Sequence, residues 1–283
     1  MMKTKTHYLM AMIAFAGMIS FTSCSDDDSV AEEDLNSETI NLVKEITMTE
    51  SIDEEIDASI NEAIAYSEQD PKLKSATTGP ECATVTVIPR DGTFPKTITI
   101  DFGNSCSGIS GLTRSGSITV IISDTLRNHG AEYSVTFNNY TVEGVTVTGT
   151  KSVENTGTED FPSFTEETNT TLTTANSIVI KKTKTITRKW VEGMDTYTQI
   201  DDVFLLSGSA EVTSSADRSY SYIITKPLKI ARTCENILEG VMEITWSGKD
   251  EPVTIDFGEG LCDWKVYVSR AKRIIRRVVY LNN

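Results

Sequence analysis

The chain has 283 residues, with 26 lysines and arginines against 41 aspartates and glutamates, and its formal net charge is −15. An excess of acid of this size repels nucleic acid and anionic lipid head groups, which excludes nucleic acid as a partner. Apolar residues make up 39% of the chain, enough for one sizeable core.

The first 23 residues have the organisation of an export signal. Lys3 and Lys5 precede an uncharged run from Tyr8 to Phe21, and two small residues and Cys24 follow. As a helix this run would rise only about 20 Å, against roughly 30 Å for the hydrocarbon core of a bilayer. The segment is therefore predicted to be a removable signal peptide and not a membrane span.

The stretch Phe21-Thr22-Ser23-Cys24 resembles the lipobox of bacterial lipoproteins, with Phe21 in place of the usual aliphatic residue. Ser25-Asp26-Asp27-Asp28 follows directly and resembles the export signal of surface lipoproteins in Bacteroidota. The resemblance covers residues 1–28. It implies that Cys24 carries several acyl chains, palmitate among them, and that Asp26, Asp27 and Asp28 send the anchored protein to the outer face of the outer membrane. In the alternative interpretation the aspartates only begin a solvated linker.

The charge distribution divides the remaining chain into an acidic tether over residues 24–79 and a β domain over residues 80–283. Residues 24–75 hold 16 acidic and 3 basic residues, whereas residues 76–283 hold 25 and 21. Apolar residues at three- and four-residue spacing predict a helical segment over residues 37–66. A longer step near Thr49, with a capping box of Ser51 and Glu54, favours two helices. The apolar stripe predicts a face that docks on the protein's own β domain.

From Cys82 onward threonine, valine and isoleucine alternate, and no helical stripe interrupts them. This pattern predicts an all-β fold, an antiparallel β-sandwich or barrel of roughly ten to fourteen strands preceded by the short acidic helical segment. The texture resembles that of other β-rich lipoproteins of Bacteroidota.

An internal duplication is expected because Thr99-Ile100-Asp101-Phe102-Gly103 recurs as Thr254-Ile255-Asp256-Phe257-Gly258. Each copy is bracketed by two of the four remaining cysteines, which an oxidising compartment would pair. The predicted disulfides are Cys82–Cys106 and Cys234–Cys262. Pairing across the two copies stays open if the ends of the chain share one sheet.

The sequence contains no recognisable arrangement of catalytic residues. Asp101 and Asp256, each followed by Phe-Gly, faintly resemble the paired Asp-Thr-Gly loops of aspartic proteases, but a turn after a strand explains the same residues. His129 is the only histidine after the signal peptide, and no nucleophile elbow is present. No catalytic residue, metal or cofactor is therefore predicted.

The candidates for ligand contact are aromatic or basic residues. Trp246 and Trp264 share strand faces with apolar residues and are predicted to be core. Trp190 follows Lys182, Lys184 and Arg188 on a half-charged face, which favours exposure and contact with a sugar ring. A basic run could bind phosphate or acidic glycan; the alternatives are a solvated strand face or pairing with the acidic segment. The run comprises Arg270, Lys272, Arg273, Arg276 and Arg277.

Ser29 and Thr125 each follow an aspartate and precede an aliphatic residue, which resembles the O-glycosylation pattern of Bacteroidota. The sequence favours a non-enzymatic binding or structural module for a glycan or a surface protein, held at the bilayer by its lipid. The alternative is a glycan-processing enzyme or other hydrolase whose catalytic carboxylates the sequence does not place.

Overall fold

The computed structural model describes residues 37–68, 82–107, 111–196, 200–234, 236–263, 265–270 and 277–280. Helix α1 spans Ser37–Glu68. The strands that follow are β1 Thr84–Ile88, β2 Lys96–Asp101, β3 Cys106–Ser107, β4 Thr113–Ile122, β5 Glu132–Val142, β6 Val145–Asn155, β7 Ser163–Thr173, β8 Val179–Glu192, β9 Val203–Ser214, β10 Arg218–Ala231, β11 Glu239–Trp246, β12 Val253–Glu259, β13 Lys265–Arg270 and β14 Arg277–Tyr280.

The strands form one antiparallel sheet. Its order is β1-β2-β4-β5 and then onward in sequence to β14, and the short β3 pairs with β4. Each long strand thus pairs with its neighbours along the chain, and β-branched residues supply most of the alternation that favours strands. The predicted all-β antiparallel class, preceded by a helical segment, is confirmed.

The helical segment is one continuous helix of 32 residues, so the expectation of two helices is wrong. The gap in its apolar stripe is filled by Thr49, Glu50 and Asp53, which are buried although they are polar. The hydroxyl of Thr49 donates a hydrogen bond to the carbonyl oxygen of Ile46 at 2.9 Å. The carboxylates of Glu50 and Asp53 pair with lysines of the sheet, so the helix continues through this position without a break.

The sheet curls round this helix. At about 100° per residue, the buried positions of α1 span roughly 200° of its circumference, more than a flat sheet could cover. Buried and exposed side chains alternate along the strands, and the apolar side chains from β1 to β13 form one core cluster with those of the helix. The predicted docking face is therefore confirmed, and it is wider than the stripe in the sequence.

The turns of an antiparallel meander fall on two rims. The upper rim comprises the connections β1–β2, β4–β5, β6–β7, β8–β9, β10–β11 and β12–β13. The helix begins near the lower rim, where Glu38 pairs with Lys249 of the β11–β12 turn at 2.9 Å. It ends at the upper rim, where Glu68 accepts a hydrogen bond from the backbone N–H of Leu126 at 3.0 Å.

Both predicted disulfides are present. Cys82 pairs with Cys106 and Cys234 with Cys262, with Cα–Cα distances of 5.6 and 5.7 Å. Each bridge joins the beginning and the end of one hairpin, β1–β2 or β11–β12. The local pairing predicted from the duplicated segment is therefore confirmed.

Candidate functional site

The residues of the predicted lipid anchor and export signal, Cys24 and Asp26 to Asp28, lie outside the described residues, as does Ser29. Thr125 lies in the β4–β5 connection and is half-buried. Asp124, the acid of that predicted glycosylation site, accepts hydrogen bonds from the backbone N–H of Thr125 at 2.7 Å and from the side chain of Asn128 at 2.9 Å.

The two duplicated aspartates lie on strands that are far apart in the sheet order. Nine antiparallel steps separate β2 from β12 in the sheet, so the two strands run in opposite directions. Asp101 accepts a hydrogen bond from the backbone N–H of Gly103 at 2.9 Å, and Asp256 accepts one from Gly258 at 3.0 Å. Asp101 is the last residue of β2, and its carboxylate holds the turn that follows, as the turn interpretation predicts. Asp256 and Gly258 lie within β12, where the register with β11 shifts, so the turn interpretation does not hold for the second copy. β2 and β12 are not paired in the sheet.

The interior between helix and sheet contains a first group of ion pairs, the Lys182 cluster, which consists of Lys182, Lys184, Glu50, Asp53 and Tyr222. Nζ of Lys182 lies 2.7 Å from Asp53 and 3.3 Å from Glu50. Nζ of Lys184 lies 2.7 Å from Glu50 and 2.8 Å from Asp53. Burial opposes ionisation of both carboxyls, but the two lysines outweigh it and lower the pKa of Glu50 and of Asp53.

A second group, the Arg188 cluster, lies further along the helix and consists of Arg188, Lys151, Glu166, Asp57 and Glu54. Arg188 lies 2.8 Å from both Asp57 and Glu54 and 2.5 Å from Glu166. Burial raises the pKa of Asp57 to about 6 against the pull of Lys151. Burial also opposes ionisation of Glu166, but Arg188 and Lys151 hold its pKa at about 2.

These contacts correct one expectation. The strand face that carries Lys182, Lys184 and Arg188 is not half-solvated, because all three side chains are buried against helix acids. Of the run Arg270 to Arg277, only Arg270 has a described side chain, and it is half-buried. Pairing of that run with the acidic segment stays a prediction.

Trp190 lies at the upper rim and is half-buried. Its indole N–H donates a hydrogen bond to the backbone oxygen of Glu192 at 2.7 Å. The guanidinium of Arg127 lies 4.8 Å from a ring centroid of Trp190, and the ring of Phe204 lies 5.7 Å away. A sugar would have to compete with Arg127 for the ring, so contact between Trp190 and a ligand stays a prediction. Trp246 is buried as predicted, and Trp264 lies outside the described residues.

Exposed apolar side chains concentrate round Trp190. Phe161 of the β6–β7 turn is 75% exposed and Ile200 of the β8–β9 connection is 64% exposed. The backbone N–H of Trp190 donates to the carbonyl oxygen of Pro162 at 3.1 Å, which brings Phe161 next to the tryptophan. Val191 completes this group, which we call the rim patch: Phe161, Trp190, Val191 and Ile200.

Six of the seven exposed large apolar residues in the described ranges lie at or next to the upper rim. They are Ile88, Ile121, Phe161, Val191, Ile200 and Leu261. The seventh, Ile223, lies on the outer face of β10. Apolar residues gathered at one end of a molecule mark an interaction surface more often than residues scattered singly.

An unusual carboxyl lies beneath the rim patch. Asp202 is buried, and its Oδ1 has no hydrogen-bond partner in the described part of the chain. Burial raises the pKa of Asp202 to about 7, although Arg232 and the indole of Trp190 pull it down. The charge of this end of the molecule therefore changes near neutral pH.

A polar recess of about 360 Å³ opens on the outer face beside Asp101. Its walls are Asp101, Gly103, Asn104, Ser115, Gly116, Ser117, Asn138 and Asn139. Carboxylate, amide and hydroxyl groups of this kind can hydrogen-bond a sugar, but no aromatic ring lines the recess. Sequence reasoning missed it because two of its walls come from β4 and β5, outside the duplicated segments.

Comparison with protein-family models, curated proteins and solved structures finds no match for the chain. Among the described residues no helix has the length and apolar character needed to cross a bilayer. The same ranges bring together no group of three or more His, Cys, Asp and Glu side chains suited to hold a metal ion.

Proposed function

We propose that this protein is a surface lipoprotein, anchored through Cys24 at the outer membrane and facing the cell exterior, whose β domain is a non-enzymatic binding module. The partner is a protein or a glycan. The observation that carries the binding proposal is the concentration of exposed apolar side chains at the upper rim.

The composition of the rim favours a partner with both apolar and basic groups. Glu159 and Asp160 precede Phe161 in the β6–β7 turn, and Asp195 and Asp201 flank Ile200 in the β8–β9 connection; these four acids are exposed. Apolar tips beside carboxylates are complementary to a surface that combines apolar side chains with lysine or arginine, and acids of this kind set association rate and specificity. A protein supplies both chemistries.

The glycan possibility is tested with an array of bacterial and host glycans. The probe is the mature chain with Cys24 replaced by serine, together with a Trp190→Ala variant and an Ile223→Ala control. A glycan bound at the upper rim loses at least tenfold in affinity with Trp190→Ala and is unaffected by Ile223→Ala. Equal binding by all three proteins would contradict the rim as the site, and an Asn138→Ala variant then tests the polar recess.

A further inference from the structure

Three side chains of the Arg188 cluster bring an amine and two carboxyls into contact inside the protein. Nζ of Lys151, on β6, contacts Oδ1 of Asp57, on α1, and lies 2.9 Å from Oε2 of Glu166, on β7. The exposed fractions of the three side chains are 5%, 3% and 4%. An amine, a carboxyl and a second carboxylate in a dry site are the groups that amide formation requires.

Arg188 completes the arrangement on the other side of Asp57. Its Nη2 donates to Oδ2 of Asp57 at 2.8 Å, and its Nε donates to Oε1 of Glu166 at 2.5 Å. Glu54 holds the same guanidinium with two hydrogen bonds of 2.8 and 3.1 Å. A fixed cation on Oδ2 stabilises negative charge that develops there when a nucleophile attacks the carboxyl carbon.

We propose that Lys151 and Asp57 condense to an intramolecular amide bond that joins helix α1 to strand β6. Glu166 accepts a proton from the Lys151 ammonium, and the nitrogen lone pair then forms a bond to Cγ of the protonated Asp57 carboxyl. Glu166 delivers its proton to Oδ1 and accepts the second proton from the nitrogen. The Cγ–Oδ1 bond breaks, one water leaves, and Oδ2 remains as the amide oxygen beside Arg188.

The atoms balance: one carboxylic acid, one ammonium and one carboxylate give one amide, one water and a protonated Glu166. No oxidant or cofactor takes part. Reacting groups that are held in contact and well oriented behave as if their effective concentration were about 10⁵ M or more. Because the product is buried, water has little access to reverse the reaction.

Burial favours a protonated Asp57. Arg232 acts on Glu54 and Asp57 in addition to Lys151 and Arg188, yet burial still raises the pKa of Asp57. The raised pKa of Asp57, about 6, keeps the reactive acid form accessible near neutral pH. Asp57 and Glu166 raise the pKa of the Lys151 ammonium and Glu166 is a weak base, so the proton transfer from Lys151 to Glu166 is uphill; protonation of Asp57 removes one of the two carboxylates that hold that proton.

The Lys182 cluster provides an internal comparison. Two carboxylates face two lysines there, and the lowered pKa of Asp53 keeps that group in the ionised form, which a nucleophile does not attack readily. An amide is therefore expected at Lys151 and none at Lys182 or Lys184. If the lipid is on Cys24, as proposed above, the amide ties the anchored segment to the β domain, but the bond does not depend on that proposal.

Mass spectrometry of the denatured, reduced mature chain tests the inference directly. The expected mass is lower than the sequence mass by one water, and proteolysis yields one branched peptide that contains Asp57 joined to Lys151. A full sequence mass with two linear peptides would overturn the proposal. This measurement uses the wild-type protein, so it does not depend on whether any variant folds.

Variants assign the roles. Lys151→Arg and Asp57→Ala are expected to have the full mass, whereas the control Lys182→Arg keeps the deficit of one water. Glu166→Gln retains both reacting groups, and bond formation followed over time is expected to slow roughly 100-fold or more. Unchanged kinetics in Glu166→Gln would overturn the role of Glu166 as the proton carrier.

Discussion

Removing one cation from the Lys182 cluster tests whether the acidic helix forms part of the core. The side chain of Lys182 is 0% exposed, and its Nζ donates to Asp53 at 2.7 Å, to the backbone oxygen of Thr49 at 3.2 Å and to Glu50 at 3.3 Å. In Lys182→Met, the two carboxylates share only Lys184, and one buried negative charge is left uncompensated.

The expected cost follows from that imbalance. Breaking a buried ion pair by removing one partner typically costs 3–5 kcal/mol, and the remaining Lys184 places Lys182→Met near the lower end, at about 3 kcal/mol. This cost is a large share of the free energy of unfolding of a typical domain, which is roughly 5–15 kcal/mol. Adding Glu50→Gln to Lys182→Met restores the charge balance and should recover about 1 kcal/mol or more.

Urea unfolding at pH 7.5 with the disulfides intact measures these differences. Lys181→Met is the matched control, because Lys181 is the adjacent residue of β8, points outward and is exposed. It removes the same charge and should change the free energy of unfolding by no more than about 0.5 kcal/mol. If Lys182→Met and Lys181→Met destabilise the protein equally, the buried charge network does not hold the helix.

Three further predictions concern the anchor, the export signal and the carboxyl under the rim. Cys24→Ala should abolish incorporation of an alkynyl fatty acid in cells, and equal labelling of wild type and variant would refute lipidation at this residue. Replacing Asp26, Asp27 and Asp28 by alanine should leave the protein lipidated but protected from protease added to intact cells; unchanged accessibility would mean that the aspartates are only a linker. Asp202→Asn should stabilise the protein relative to wild type as pH rises from about 4 to 8, because a carboxyl whose pKa is raised to about 7 in the folded state opposes folding once it ionises. Urea unfolding of both proteins at pH 5 and pH 8 measures the difference. At pH 8 the free energy of unfolding of the variant should exceed that of the wild type by roughly 2–4 kcal/mol, and by less at pH 5. A difference that does not change with pH would contradict the buried position of this charge.

The sequence predicted those parts of the fold that depend on local pattern. Alternation of β-branched residues predicted the strands, and the duplicated segment between cysteines predicted the pairing of Cys82 with Cys106 and of Cys234 with Cys262. The helix was also predicted from the spacing of its isoleucines. Each of these features is carried by residues close together along the chain.

The charged interior was missed because it joins distant segments. Acids of residues 37–68 were interpreted as part of an acidic tether, and the lysines of β8 as part of a half-charged face, because more than 120 residues separate the two sides of the Lys182 contacts. One signal was present in the sequence: Lys182 and Lys184 share their strand phase with Ile180 and Ile186, whereas the opposite phase of β8 carries three threonines between two further lysines. Lysine in phase with isoleucine predicts a buried cation once an acidic helix is available as its partner.

The rim patch could not be predicted for a different reason. Phe161 and Ile200 are single apolar residues in polar connections, and isolated exposed apolar residues are common in any protein. Their significance comes from the antiparallel meander, which brings alternate connections to one end of the sheet. The sequence did indicate Trp190 as a candidate, but the indication rested on a half-charged strand face that is in fact buried.

Photocrosslinking on intact cells tests the binding proposal most directly. A photoreactive phenylalanine analogue is placed at Phe161, at Ile200 or, as control, at Ile223, which is also exposed, at 53%. We expect a discrete adduct from the two upper-rim positions, a much weaker one or none from Ile223, and loss of the adduct when Trp190→Ala is added. Equal crosslinking from all three positions, or from Ile223 alone, would contradict the upper rim as the surface through which this protein acts.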